Sequence, residues 1–117
     1  MTDQNGLLLG VAISSNGTAS VSVGGDVDGS NADEMCAVVM RASAQDAIRC
    51  VVVDLSEVNF LDARGISALI VCKRCLHELG LEFMVVGARD SPLRALTLTG
   101  ALDLLSSSVD NVRTQES

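Results

Sequence analysis

Aromatic side chains are almost missing from this chain of 117 residues: Phe60 and Phe83 are the only two, with no tryptophan or tyrosine. Binding of exposed bases relies on rings to stack against, so single-stranded nucleic acid has little to rest on. Basic residues are also scarce, eight against fifteen acidic ones for a formal charge of −7. A surface of that sign repels a phosphate backbone instead of releasing its counterions. Both shortages argue against direct nucleic-acid binding, although acidity by itself names no partner. Long apolar runs are absent too. No stretch approaches the roughly 18 uninterrupted apolar residues of a membrane-spanning helix, and Met1 to Gly6 lacks the basic start of a secretory signal. No membrane insertion is expected, and the expected location is the cytoplasm. The single histidine, His77, falls on the wetter side of a predicted helix with no catalytic pattern around it, and Gly24-Gly25 is not followed by the Gly-Lys-Ser/Thr of a phosphate loop. No catalytic residue, metal or cofactor is assigned, and the chain is not expected to be an enzyme.

What is present is an apolar fraction of 48%, mostly Val, Leu, Ala and Ile. A chain of this length makes one compact domain, expected over residues 1–117 with an ordered core over about 7–108 and a polar tail at 110–117. Leu7 to Ser15, the turn signal Asn16-Gly17 and the alternation Ala19, Val21, Val23 predict a hairpin with one wet face, ended by Gly24-Gly25. Ser30 is a candidate cap for a helix from Asn31 to Ser43 that buries Met35, Val38, Val39 and Ala42. Ile48 to Leu55 contains the run Cys50-Val51-Val52-Val53 and reads as a central strand covered on both faces.

Asp62 is a cap for a second helix, Ala63 to Leu79, with Ile66, Leu69, Cys72, Leu76 and Leu79 at helical spacing and Lys73, Arg74, His77 and Glu78 on the wetter side. Gly80 stops it. A strand over Leu81 to Val86, a short helix opened by Ser91-Pro92 and running to Leu98, and a last strand over Leu102 to Ser106 complete the order β-β-α-β-α-β-α-β. This is an α/β domain with a mixed sheet of four to five strands.

Three segments carry a resemblance. Asp54-Leu55-Ser56-Glu57-Val58-Asn59-Phe60-Leu61-Asp62-Ala63-Arg64-Gly65-Ile66 resembles the signature of the STAS family, in which a strand ends in a loop of the form D-L-S-x-V-x-F-L-D-S-x-G-[LI]. Gly25-Asp26-Val27-Asp28 resembles the family's turn after the second strand, and Leu96 to Leu102 its later glycine-containing segment. The likeness spans about Leu7 to Ser108 and implies a STAS-like fold. It also implies an anti-sigma-factor antagonist, a binding module whose partner is an anti-sigma factor with an ATP-binding, kinase-like fold. The contact surface it implies comprises Asp26, Asp28 and Ser30 with Asn59, Asp62, Ala63, Arg64, Gly65 and Ser67. Read from local chemistry alone, Asp26 and Asp28 are equally turn residues, Asp62 a helix cap and Gly65 a packing glycine.

In the family the first helical residue is a serine or threonine that the partner phosphorylates, which expels the antagonist. Here that position is Ala63, which has no hydroxyl, and the next is Arg64, whose cationic arm is expected to project from the docking surface. The chain is therefore expected to stay binding-competent or to be switched in another way. Alternatives are a STAS scaffold or a transporter-associated subunit, and a homodimer is compatible with either.

Four cysteines, Cys36, Cys50, Cys72 and Cys75, are expected to be reduced in the cytoplasm. Cys72-Lys73-Arg74-Cys75 has the spacing of redox and zinc pairs, yet it lies inside a predicted helix, away from the amino terminus where a dipole activates a thiol. Zinc would need two more ligands, and Cys36 and Cys50 show no paired spacing. Packing is the simpler role for Cys72 and Cys75. A dithiol enzyme is the remote alternative, and a regulatory disulfide, first of all Cys36 with Cys72, is open if their α-carbons lie within roughly 7 Å.

Overall fold

The computed structural model describes residues 6–106; the tail at 110–117 lies outside the described residues. The elements are β1 (Leu8–Ile13), β2 (Thr18–Val27), α1 (Ala32–Ser43), β3 (Cys50–Leu61), α2 (Ala63–Glu78), β4 (Glu82–Val86), α3 (Asp90–Leu98) and α4 (Ala101–Ser106). The sheet runs β1-β2-β3-β4, with β1 antiparallel to β2 and the other neighbours parallel. The mixed four-stranded α/β sheet agrees with the sequence expectation.

The hairpin forms where Asn16-Gly17 places it: Ser14 N–H donates to the Thr18 carbonyl at 2.9 Å, and Asn16 Oδ1 accepts from Thr18 N–H at 3.2 Å. Alternation on β2 buries Ala19, Val21 and Val23 and leaves Ser20 half-buried and Ser22 exposed. Gly24-Gly25 does not end β2, contrary to expectation. The strand continues to Val27 through two register shifts, between Ser22 and Gly24 and between Gly25 and Asp26. Glycine is required at the second shift, because Gly25 has φ +98° and a Cβ there would run into the Gly6 carbonyl oxygen.

β3 is likewise longer than its apolar run. The segment expected as a loop after Leu55 stays in the sheet as far as Leu61, paired with the continuation of β2, and buries Val58 and Leu61. The strand is central, but only one of its faces is fully covered. Val51, Val53 and Leu55 have no exposed area, whereas Cys50, Val52, Asp54 and Ser56 are half-buried. Val52 owes its shelter to the flanking Ser20 and Met84 in register, which explains an unbroken apolar run without a second helical layer.

The helices depart from expectation in their details. Asn31 takes the N-cap position of α1 without a side-chain cap bond, and the helix buries Ala32, Met35, Val39 and Ala42, while Val38 is half-buried. α2 begins at Ala63 as expected, but Lys73 is buried instead of wet: its stem crosses the core edge and Nζ donates to the Phe83 carbonyl at 3.3 Å. Leu79 falls just past the helix and is 63% exposed. α3 starts at Asp90, with Arg89 and not Ser91 at the cap position, and Pro92 is buried in its first turn. The expected last strand, Leu102 to Ser106, is instead the helix α4. Ala101 and Leu105 are buried while Leu102 and Leu104 are half-buried, a spacing of four that suits a helix and not a strand. Among the described residues no helix is long and apolar enough to cross a membrane.

Candidate partner-docking site

Because β2 and β3 are parallel neighbours, their carboxyl ends leave the sheet at the same edge, with Val27 opposite Leu61. The two segments singled out in the sequence therefore become adjacent there. Asp62 N–H donates to the Val27 carbonyl at 3.1 Å, which pins the start of α2 to the end of β2.

The first segment is a hydrogen-bonded turn. Asn31, 2% exposed, accepts from Asp28 N–H at 3.0 Å and donates through Nδ2 to the Asp26 carbonyl at 2.9 Å. Ser30 is not the helix cap; its backbone N–H and hydroxyl donate to Asp28 Oδ1 at 2.9 and 2.6 Å. These donors favour the ionised carboxylate and hold Asp28 below its ordinary range, the Ser30 hydroxyl foremost. The turn's support from this group is present above the ordinary carboxylate range and is lost as pH falls through the lowered value in the folded state. In an NMR titration Asp28 is expected to titrate below an ordinary aspartate, and Ser30→Ala to move it upward. An unmoved midpoint in that variant would contradict the assignment.

The second segment is the entrance of α2. Asp62 Oδ1 accepts from Gly65 N–H at 2.9 Å and satisfies one of the helix's unpaired first amides. Ala63, Arg64 and Ser67 are exposed, as are Asn59, Asp26 and Ser30; Asp28 and Asp62 are half-buried. Gly65 is buried, which removes it from the contact face. A Cβ there would lie 2.7 Å from Leu61 Cδ1 and 2.9 Å from Val27 Cγ1, so the residue serves close packing of helix on strand. Arg64 does not project freely either. Its arm lies back across the first segment, so close that a Cβ on Gly29 would meet Arg64 Cδ at 2.7 Å and Nη1 at 2.9 Å.

Two contributors escaped the sequence reading. Phe60, 47% exposed, follows Asn59 in β3 and pairs with Asp26 in the β2–β3 register. Its signal was available, since an aromatic is rare in this chain, but strand alternation could not say that it points to solvent. The other is an open groove of about 320 Å³ in which Ala63, Ile66, Ser67 and Ile70 face Thr99, Gly100, Ala101 and Leu104. Its far wall comes from the α3–α4 corner, which no local pattern links to α2.

The cysteines divide. Cys36 on α1 and Cys72 on α2 come together with sulfurs 3.1 Å apart. Cys72 is 2% exposed and belongs to the core, and Cys75 is half-buried one turn further on. Among the described residues no cluster of three or more His, Cys, Asp or Glu side chains is placed to share a metal ion. The face at the sheet edge combines exposed apolar, acidic and cationic groups around a helix entrance, an arrangement suited to holding another protein.

The chain is similar to several known proteins. An anti-sigma-B factor antagonist of Staphylococcus aureus is 28% identical over 85 residues, covering 73% of this chain and 78% of that protein. The crystal structure of an anti-sigma factor antagonist from Mycobacterium paratuberculosis superposes with a TM-score of 0.75 at 25% identity, covering 98% and 97% of the two chains. Unphosphorylated SpoIIAA, an anti-sigma factor antagonist of Bacillus, shares the fold at a TM-score of 0.71 and 12% identity over 93% and 94% of the chains. The family model of the STAS domain matches residues 11–115, and the chain belongs to that family.

Proposed function

We propose that this chain is an anti-sigma factor antagonist. It docks through the turn Asp26 to Ser30 and the entrance of α2 onto an anti-sigma factor with an ATP-binding, kinase-like fold, and thereby frees a sigma factor. The observation that carries the reading is the exposed entrance of α2, uncharged at Ala63 and joined to the Asp26–Ser30 turn through Arg64 over Gly29. The names of similar proteins support the same partner class.

Ala63 occupies the first position after the Asp62 cap, where helix amides and the macrodipole favour an added phosphate. A hydroxyl there would be a phosphate acceptor, and about two negative charges would then enter the interface. Alanine removes that route and leaves the chain constitutively competent.

Titration calorimetry with purified candidate anti-sigma factors tests both parts. Wild type is expected to bind equally with and without ATP, and Ala63→Ser to bind in its absence and be released as ATP is consumed. Absence of a complex with any kinase-like anti-sigma factor at micromolar concentrations would reject the reading in favour of a scaffold or transporter-associated subunit. ATP-dependent release of the wild type would reject its constitutive part.

A further inference from the structure

Helices α1 and α2 pack side by side, and the only direct sulfur–sulfur approach among the described residues lies in that seam. Cys36 Sγ sits between two groups of α2: it donates to the Ala68 carbonyl at 3.4 Å and accepts from the Cys72 thiol at 3.1 Å. A disulfide needs the sulfurs at about 2.05 Å, so bond formation requires them to approach by roughly 1 Å. The two thiols are unequal. The hydrogen bond from Cys72 lowers the Cys36 pKa, while that bond and burial raise Cys72. Cys36 is also the better exposed of the two, Cys72 being 2% exposed.

We propose that Cys36 and Cys72 form a reversible, peroxide-driven disulfide that fastens α1 to α2. The half-buried Cys36 thiolate attacks hydrogen peroxide, giving a sulfenic acid and hydroxide. The Cys72 sulfur then attacks the Cys36 sulfur; the S–OH bond breaks, and the hydroxyl leaves as water with the Cys72 proton. Overall two thiols and one peroxide yield one disulfide and two waters, and a small dithiol restores the reduced pair. The bond would join the two helices whose first turns flank the docking face, yet its formation does not depend on the identity of the partner.

The seam distinguishes this pair from the other two cysteines. Cys50 lies on β3, and although Cys75 shares α2 with Cys72, it is the Cys72 sulfur that stands 3.1 Å from Cys36. The bond would close a loop between residues 36 positions apart, long enough to restrict the unfolded chain substantially.

The test is peroxide titration of the native chain, alkylation of remaining thiols under denaturing conditions and peptide mapping without reduction. The expected product is monomeric, has lost two hydrogens and contains a Cys36–Cys72 linked peptide. Cys36→Ser and Cys72→Ser should each leave no intramolecular disulfide after the same peroxide treatment, whereas Cys75→Ser should leave the Cys36–Cys72 product within twofold of wild type. Oxidised wild type should melt roughly 10 °C higher than reduced, with the rise reversed by dithiothreitol. Four free thiols after peroxide treatment, linkage through Cys50 or Cys75, or a dimer as the main product would overturn the proposal, as would a mapped bond without a rise in Tm. The wild-type mapping decides the pairing even if a serine variant fails to fold.

Discussion

Ala63→Glu is expected to weaken binding to the anti-sigma partner roughly a hundredfold while leaving the fold as stable as wild type or slightly more stable. The opposite signs follow from one location. Ala63 is the first residue of α2, directly after the Asp62 cap. In the free protein a carboxylate there meets the positive end of the helix, a gain of about 0.3–1 kcal/mol. In the complex the same charge would be desolvated beside the apolar groove that Ala63 shares with Ile66 and Ile70. An unpaired charge forced into a contact costs several kcal/mol, and about 3 kcal/mol corresponds to roughly a hundredfold in Kd. Ala63→Gln, of similar size without the charge, should lose only about tenfold on the same scale. Calorimetric Kd values together with urea midpoints check both signs. Binding by Ala63→Glu within threefold of wild type would place the contact surface elsewhere.

The elements legible in sequence were those with a local cause. Asn16-Gly17 marked the hairpin because its turn chemistry is contained in two residues, and Asp62 marked the start of α2 because a cap acts on its own first turn. Misreadings arose where distant partners decide. Gly24-Gly25 has the look of a strand end, yet pairing with β3 carries β2 past it through two register shifts. The final apolar stretch could alternate as a strand, but burial of Ala101 and Leu105 against the rest of the core makes it a helix. Helical spacing puts Lys73 on the wetter side beside the apolar stripe, yet the Phe83 carbonyl is within reach once β4 is in place.

The candidate site shows the same division. Asp26, Asp28, Ser30, Asn59, Ala63, Arg64 and Ser67 share one end of the sheet because β2 and β3 are parallel, a relation inferred from the order of elements. The role of Asn31 as a clamp was hidden, since its two bonds reach backward into the turn and no helix pattern requires them. Arg64 was expected to extend outward; the side-chain-free Gly29 instead makes room for its arm against the turn. The groove wall at Thr99 to Leu104 depended on the α4 helix that the sequence reading missed.

Gly65→Val should cost about 3 kcal/mol of stability, lowering Tm by roughly 10–20 °C, and should damage docking as well. The two atoms that an added Cβ would meet, on Leu61 and Val27, belong to residues opposite each other in the β2–β3 register. Leu61 is 2% exposed and Val27 fully buried, so neither has free space into which to withdraw. The backbone is also restrained, because the Val27 carbonyl holds Asp62 N–H and Asp62 holds Gly65 N–H. A branched side chain must therefore lift the first turn of α2 away from the sheet, stretching the hydrogen bond that unites the two halves of the proposed docking face. Gly65→Ala provides an internal comparison. Alanine brings the same Cβ against Leu61 and Val27 but no branches, and its helix preference of about 1 kcal/mol over glycine offsets part of the overpacking, so its net loss should be about 1–2 kcal/mol. Urea titrations of the two variants should thus give valine below alanine and alanine below wild type. Wild-type stability in Gly65→Val would mean that α2 tolerates displacement at its entrance, and the close fit between helix and strand would no longer explain why Ala63 and Arg64 are held beside the Asp26–Ser30 turn.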